Sequence, residues 1–189
     1  MKSALVPISN AQSNLCRALM TIRRLSPADV SAYRRIRLHG LRECPAAFGS
    51  SYAEEAKRPR SAFVNRLEQT PATWTFGAFD AGRLVGVLSL VRETRAKEKH
   101  KAAIYGMYVE RPARRSGIGR ALVERALATA RQLRGLRQVR LAVVDSNLAA
   151  RRLYEAAGFT VYGREEAALF VGGRYHAELF LVRKLRRGR

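Results

Sequence analysis

Apolar residues alternate with polar ones, or form short unbroken runs, in TWTFGAF (73–79), LVGVLSLV (84–91), AAIYGMYV (102–109) and VRLAVV (139–144). A period of two, or a run of four to eight residues, is the pattern of a strand. The turn DAGR (80–83) joins the first two runs into a hairpin. A second hairpin is expected in TVYGREEAALFVGGRYHAELFLVRKL (160–185), folded at its glycine pair. TIRRL (21–25) predicts an opening strand. Between these runs the period lengthens. SPADV (26–30) carries a capping serine, a proline fitted to a first helical turn and an aspartate for the positive end of the dipole. That helix should run to about Arg42 and stop before Pro45. FGSSYAEEAK and SAFVNRLEQ predict short helical pieces. ARRSGIGRALVERALATARQL (113–133) predicts a long helix, with Gly135 as its cap. NLAARRLYEAAGF (147–159) predicts another, closed by Gly158. The order is strand, helices, three strands, helix, strand, helix, two strands. It defines one α/β domain with a mixed sheet over residues 20–185. Residues 1–19 lack a period and read as an N-terminal extension, poorly ordered. Residues 186–189 read as a frayed basic tail.

The totals narrow the function. A chain of 189 residues suits a single core. No apolar run nears the ~20 residues a membrane span requires. Two cysteines and three scattered histidines support neither a disulfide framework nor a metal site, so a cytoplasmic setting without a metal is expected. The net charge of +21 invites a nucleic-acid partner. However, the charge is spread along the whole chain and is mostly arginine. A solvated arginine surface is the plainer reading, and nucleic acid is not the expected partner.

Gly117 and Gly119 stand at the mouth of the long helix, where glycine costs about 1 kcal/mol per residue. An anion approaching the free N–H groups of a first turn would explain them. Arg114, Arg115 and Arg120 add positive charge nearby. A glycine-rich turn without a ligand is the alternative. A Walker loop would need a lysine where Arg120 stands. A Rossmann turn would place its first glycine directly after the strand and a third where Leu122 stands.

With Arg114, Gly117 and Gly119 in one element, and Asn147, Tyr154, Gly158 and Phe159 in the next, the chain resembles the GNAT superfamily of acetyl-CoA-dependent N-acetyltransferases. The resemblance covers residues 20–185. It implies the GNAT fold, a mixed central sheet with a splayed strand pair and flanking helices. It implies that the N–H groups of Arg115, Ser116, Gly117, Ile118, Gly119 and Arg120 hold the pyrophosphate of coenzyme A. The strand end at Met107, Tyr108 and Val109 would splay from the strand at 139–144, the coenzyme arm would lie in the gap, and Asn147 would bond it. The implied reaction is direct attack of a primary amine on acetyl-CoA in a ternary complex.

Such a reaction needs an acid for the leaving thiolate and an outlet for the amine's proton. Tyr154 is the expected acid; a packing aromatic is the alternative. Glu110 is the carboxylate nearest in sequence to the expected base position, and equally an ordinary strand-end glutamate. Relatives that acetylate ribosomal-protein N-termini carry a glutamate where this chain has Ala142, so their mechanism is not carried over. Glu54 and Glu55 could bind a cationic acceptor, or form a solvated helix face. His176 and Glu178 could line the acceptor pocket, with surface positions the plainer reading. The acceptor is a small-molecule or peptide amine, and a homodimer stays open. A GNAT-fold protein that has lost catalysis and acts in nucleic-acid binding or regulation is the competing expectation.

Overall fold

The computed structural model describes residues 20–185; expectations for the two chain ends lie outside them. Seven strands form one sheet: β1 (Met20–Arg24), β2 (Thr73–Asp80), β3 (Arg83–Arg92), β4 (Lys101–Val109), β5 (Gln138–Val144), β6 (Thr160–Val171) and β7 (Arg174–Lys184). Their spatial order is β1-β2-β3-β4-β5-β7-β6. Every neighbouring pair is antiparallel except β4 with β5. The helices are α1 (Val30–Glu43), α2 (Tyr52–Ala56), α3 (Arg60–Asn65), α4 (Ile118–Gln132) and α5 (Leu148–Ala156).

Both hairpin turns use a left-handed backbone, which their glycines accept freely and Ala81 takes at a cost. Ala81 and Gly82 have φ of 45° and 78°, and Gly172 and Gly173 have 59° and 76°. The aspartate of SPADV does more than meet a helix dipole. Asp29 accepts from the Ser26 N–H (2.9 Å) and pairs with Arg23 (2.6 Å). That tie fixes the angle at which β1 passes into α1. Gly135 does not cap α4, whose cap is Leu133; it supplies the φ of 80° that turns the chain toward β5.

Alternation along β2 and β3 splits the core into two layers. Phe76, Ala78, Val85, Leu88 and Leu90 join one cluster with Leu122, Val123, Ala126 and Leu127 of α4. Leu84 and Val87 join the other with Val30, Tyr33 and Ile36 of α1. The two helices therefore cover opposite faces of the sheet. Each fully buried leucine contributes roughly 1.5–3 kcal/mol to holding its helix there. Two glycines let the helices come close. A Cβ on Gly40 of α1 would stand 2.9 Å from the Tyr108 ring, and one on Gly86 of β3 would stand 3.1 Å from Ile118 and Leu122.

Candidate active site

The site begins with a defect in β4. Val87 faces Tyr108 and Ser89 faces Tyr105, so Gly106 and Met107 stand opposite Leu88 alone. This is a bulge, and Gly106 takes a φ of 60° to form it. The bulge bends β4 away from β5. The two strands pair only from Lys101 to Ala103, against Gln138 to Arg140, and then separate. Beyond that point the edge of β4 facing β5 has no partner strand. A cavity of about 540 Å³ opens in the gap. Ile104, Val143 and Tyr154 line it from the α4 layer, and Tyr33 and Phe48 from the α1 layer. The cavity therefore joins the two faces of the sheet.

On the α4 side the chain makes a tight approach to its helix. Arg115 has φ 65° and Gly117 has φ 85°. An unbranched left-handed arginine costs about 1–2 kcal/mol, so this turn is held against local preference. Ser116 Oγ donates to the Ala113 carbonyl (2.7 Å). The first N–H of the turn to bond a carbonyl is that of Ala121, to Gly117 (3.0 Å), which leaves the N–H groups of Arg115 to Arg120 without carbonyl partners among the described residues. The two glycines have different reasons. A Cβ on Gly117 would meet nothing within 4 Å, so space for a ligand stands open there. One on Gly119 would stand 3.2 Å from Met107 Cε and 3.3 Å from Leu153 Cδ2, so this glycine lets the helix dock against the bulge and α5.

The arginines also divide. Arg114 Nε donates to the Val109 carbonyl (2.9 Å), and its Nη2 pairs with Glu43 (2.8 Å). It fastens the end of β4 to α1 instead of facing the open turn. Glu43 also accepts from the Tyr108 hydroxyl; the Tyr108 side chain thus points to the α1 layer, and Tyr108 does not line the cavity. Arg120 is exposed and paired with Glu124 (2.7 Å). Ile118 is buried in the core.

Tyr154 and Met107 meet at the gap. The Tyr154 hydroxyl donates to Met107 Sδ (3.2 Å), and its ring stands edge-on to Phe159 at 5.8 Å. The ring is buried, and burial raises the phenol's pKa, so it keeps its proton. Asn147 caps α5, its Oδ1 accepting from Ala150 N–H (3.1 Å), and also lines the cavity.

Three carboxylates expected at the site are engaged elsewhere. Glu110 is 3% exposed, lies outside the cavity lining, and is bonded by Arg35 (2.5 Å) and Arg83 (2.8 Å). It ties β4 to α1 and β3 and is not placed to take a proton from an amine in the gap. Glu55 is 1% exposed and bidentate with Arg66 at 2.8 Å in both bonds. Glu54 closes a capping box with Ser51 at the start of α2. Neither lines the cavity, so the acidic acceptor patch expected from this pair is not built. His176 stays outside the cavity as well, whereas Glu178 of β7 lines it. Burial, and then Glu165 nearby, raise the Glu178 pKa.

Arg37 is a cavity residue that the sequence reading passed over. It lies on the α1 wall, its guanidinium 4.8 Å above the Phe48 ring. Its Nη1 is buried without a hydrogen-bond partner among the described residues, and burial lowers its pKa. A signal was available. Arg37 falls four residues after Tyr33 and four before Leu41, in line with the buried stripe of α1.

The site thus combines a bent strand, a sheet edge without a partner strand and a helix N-terminus whose first N–H groups have no carbonyl partner among the described residues. The comparisons give the class: the chain belongs to the acetyltransferase (GNAT) family, which matches residues 38–159. Mycothiol acetyltransferase of Geodermatophilus obscurus is 40% identical over 87 residues, a stretch that spans 45% of this chain and 28% of that protein. Among solved structures, yncA of Salmonella typhimurium, determined with its cofactor acetyl-CoA, superposes with a TM-score of 0.78 at 22% identity, over 90% of this chain and 96% of that one. A GNAT-family acetyltransferase from Streptococcus pneumoniae gives 0.77 at 20%, over 88% and 99%. The ribosomal-protein-alanine N-acetyltransferase of Brucella melitensis gives 0.74 at 23%, over 87% and 99%. At these identities the structures share the fold. No helix of the described residues is long and apolar enough to cross a membrane.

Proposed function

We propose that the protein transfers the acetyl group of acetyl-CoA to a primary amine by direct attack in a ternary complex. The observation that carries this reading is the cavity through the sheet gap, with a buried, protonated tyrosine at its α4 side. Acetyl-CoA supplies an activated acetyl thioester and a pyrophosphate. The open space at Gly117 and the free N–H groups of Arg115 to Arg120 fit the pyrophosphate. The edge of β4 near Met107, which has no partner strand, fits an extended amide-bearing arm, with Asn147 on the same cavity. Tyr154, beside Met107, protonates the leaving thiolate. Glu178 replaces Glu110 in this proposal as the group that takes up the amine's proton, directly or through water. A carboxylate whose burial favours its protonated form is better matched to that task than an exposed one.

The test is thermal stability with and without acetyl-CoA, followed by coenzyme A release across a panel of amines. At 100 times its dissociation constant the ligand should add roughly 2.7 kcal/mol. Gly117→Glu should remove that gain, since a carboxylate would fill the open space and repel the pyrophosphate. A melting temperature indifferent to millimolar acetyl-CoA, or no release with any amine, overturns the reading.

A further inference from the structure

Arg66 and Arg37 both face the cavity, but they differ in what they have left to give. The Arg66 guanidinium is held fork to fork by Glu55 (2.8 Å in both bonds), so its charge is matched. Arg37 stacks on Phe48, and its Nη1 is buried without a hydrogen-bond partner among the described residues. The Glu55 carboxylate, whose charge reaches Arg37, is already taken by Arg66. A guanidinium nitrogen buried without a hydrogen-bond partner is unfavourable, and a fold gains nothing from one unless something pairs with it in use. The position is specific. A Cβ on Gly106 would stand 3.8 Å from Arg37 Nη1, so the guanidinium borders the bulge from which the gap opens. The cavity carries a half-buried carboxylate too, Glu178.

We infer that the acceptor is a zwitterion, a small amine bearing a carboxylate, with the carboxylate held by Arg37 while the amine is presented at the gap on the Glu178 side. This deepens the proposed acetyl transfer and rests on it for the fate of the amine. One unmatched guanidinium calls for one negative charge, and its planar fork fits a carboxylate. A phosphate monoester, with nearly two charges, would leave one unmatched. The inference does not draw on Glu54 and Glu55, the residues expected to bind a cationic acceptor, because they lie outside the cavity.

The experiment compares four amines built on one skeleton: a free amino acid, its amide, its decarboxylated amine and the corresponding amine phosphate. The free amino acid should have a kcat/KM at least tenfold above the other three. Arg37→Gln should erase that preference by raising KM for the amino acid, while stabilisation by coenzyme A persists. Arg37→Lys, which keeps the charge but loses the fork, should restore part of the preference. Arg37→Leu should raise the melting temperature while it removes selectivity; a merely structural arginine would lower it. A best substrate among the amide, the decarboxylated amine or the phosphate overturns the inference, and so does an unchanged KM in Arg37→Gln. Binding of an N-acetyl amino acid to the coenzyme A complex, measured by calorimetry, separates this inference from the reading on which it rests. If no amine is acetylated but that anion binds and Arg37→Gln abolishes binding, the reaction is wrong and the anion site stands. If amines are acetylated but the anion does not bind, the anion site is wrong and the reaction stands.

Discussion

Tyr154 has one polar atom and one recorded partner for it, the soft sulfur of Met107. A buried phenol with so weak an acceptor is held in place mainly by its ring, against Phe159. Tyr154→Phe should therefore leave the fold and coenzyme affinity almost unchanged. Steady-state kinetics should show kcat lower by roughly 10²-fold, the scale of a lost general acid. The pH profile adds a sign. Burial disfavours the phenolate, so the folded pKa lies above the ordinary value of 10 and the proton is retained at every working pH. Any rise of kcat on the acid side then belongs to the group that accepts the amine's proton, and should survive in Tyr154→Phe. Glu178→Gln should flatten that rise. An unchanged kcat in Tyr154→Phe would return the residue to a packing role. At this scale the placement of a residue was legible where it is set locally, as with Gly117 and Gly119 at the opening of α4. It was not legible where the partner is remote: Glu110 follows β4 in sequence, but its two arginines come from α1 and β3.

Glu55 shows the same problem between elements. In sequence it is half of an acidic pair, whereas in the fold it is a buried tie between α2 and α3, bonded by Arg66 and flanked by Arg58 at 3.6 Å. The Arg66 bonds hold its pKa below the ordinary value. A depressed folded pKa gives stability that is present above the unfolded value, about 4.3, and is lost as pH falls through the folded one. Glu55→Gln should cost roughly 1.5–3 kcal/mol at pH 7, as expected for hydrogen bonds to a charged group. The variant and the parent should converge as the pH drops below 4. Urea melts at pH 7 and pH 3 would measure both; a penalty equal at the two values would mean that the charge plays no part. For Glu54 a local signal existed that the sequence reading passed over, because Ser51 three residues before it spells a capping box. The order of strands and helices was legible for the same reason, since period and turn chemistry are local. The separation of β4 from β5 was not. It arises from a register shift at Gly106 that depends on β3, and only the family resemblance anticipated it.

Across the whole molecule, a net charge of +21 surrounds a site proposed to take an anionic coenzyme and an acceptor that bears a carboxylate. Two uses of that field predict different salt responses. A dedicated nucleic-acid surface would retain affinity and some preference at physiological salt. A general field would bind nucleic acid weakly, without preference, and with a steep loss as salt rises. Titration of DNA and RNA at 50 and 150 mM salt should show the second pattern, and a nanomolar site at ~150 mM would favour the competing reading. The field has a simpler use in catalysis. Coenzyme A is a polyanion whose pyrophosphate is proposed to bind at exposed N–H groups beside Arg115, so long-range attraction should raise its rate of arrival. The Debye length shortens from about 30 Å at 0.01 M salt to about 8 Å at 0.15 M. Over that range kcat/KM for acetyl-CoA should fall several-fold. By contrast, kcat should hold nearly constant, because Tyr154 and Glu178, the proposed acid and base, line the cavity, where salt screens poorly. Replacing Arg115 and Arg120 together by glutamine should lower kcat/KM at low salt and make it less dependent on salt. A kcat/KM indifferent to ionic strength would leave the arginine excess without a part in the capture of acetyl-CoA.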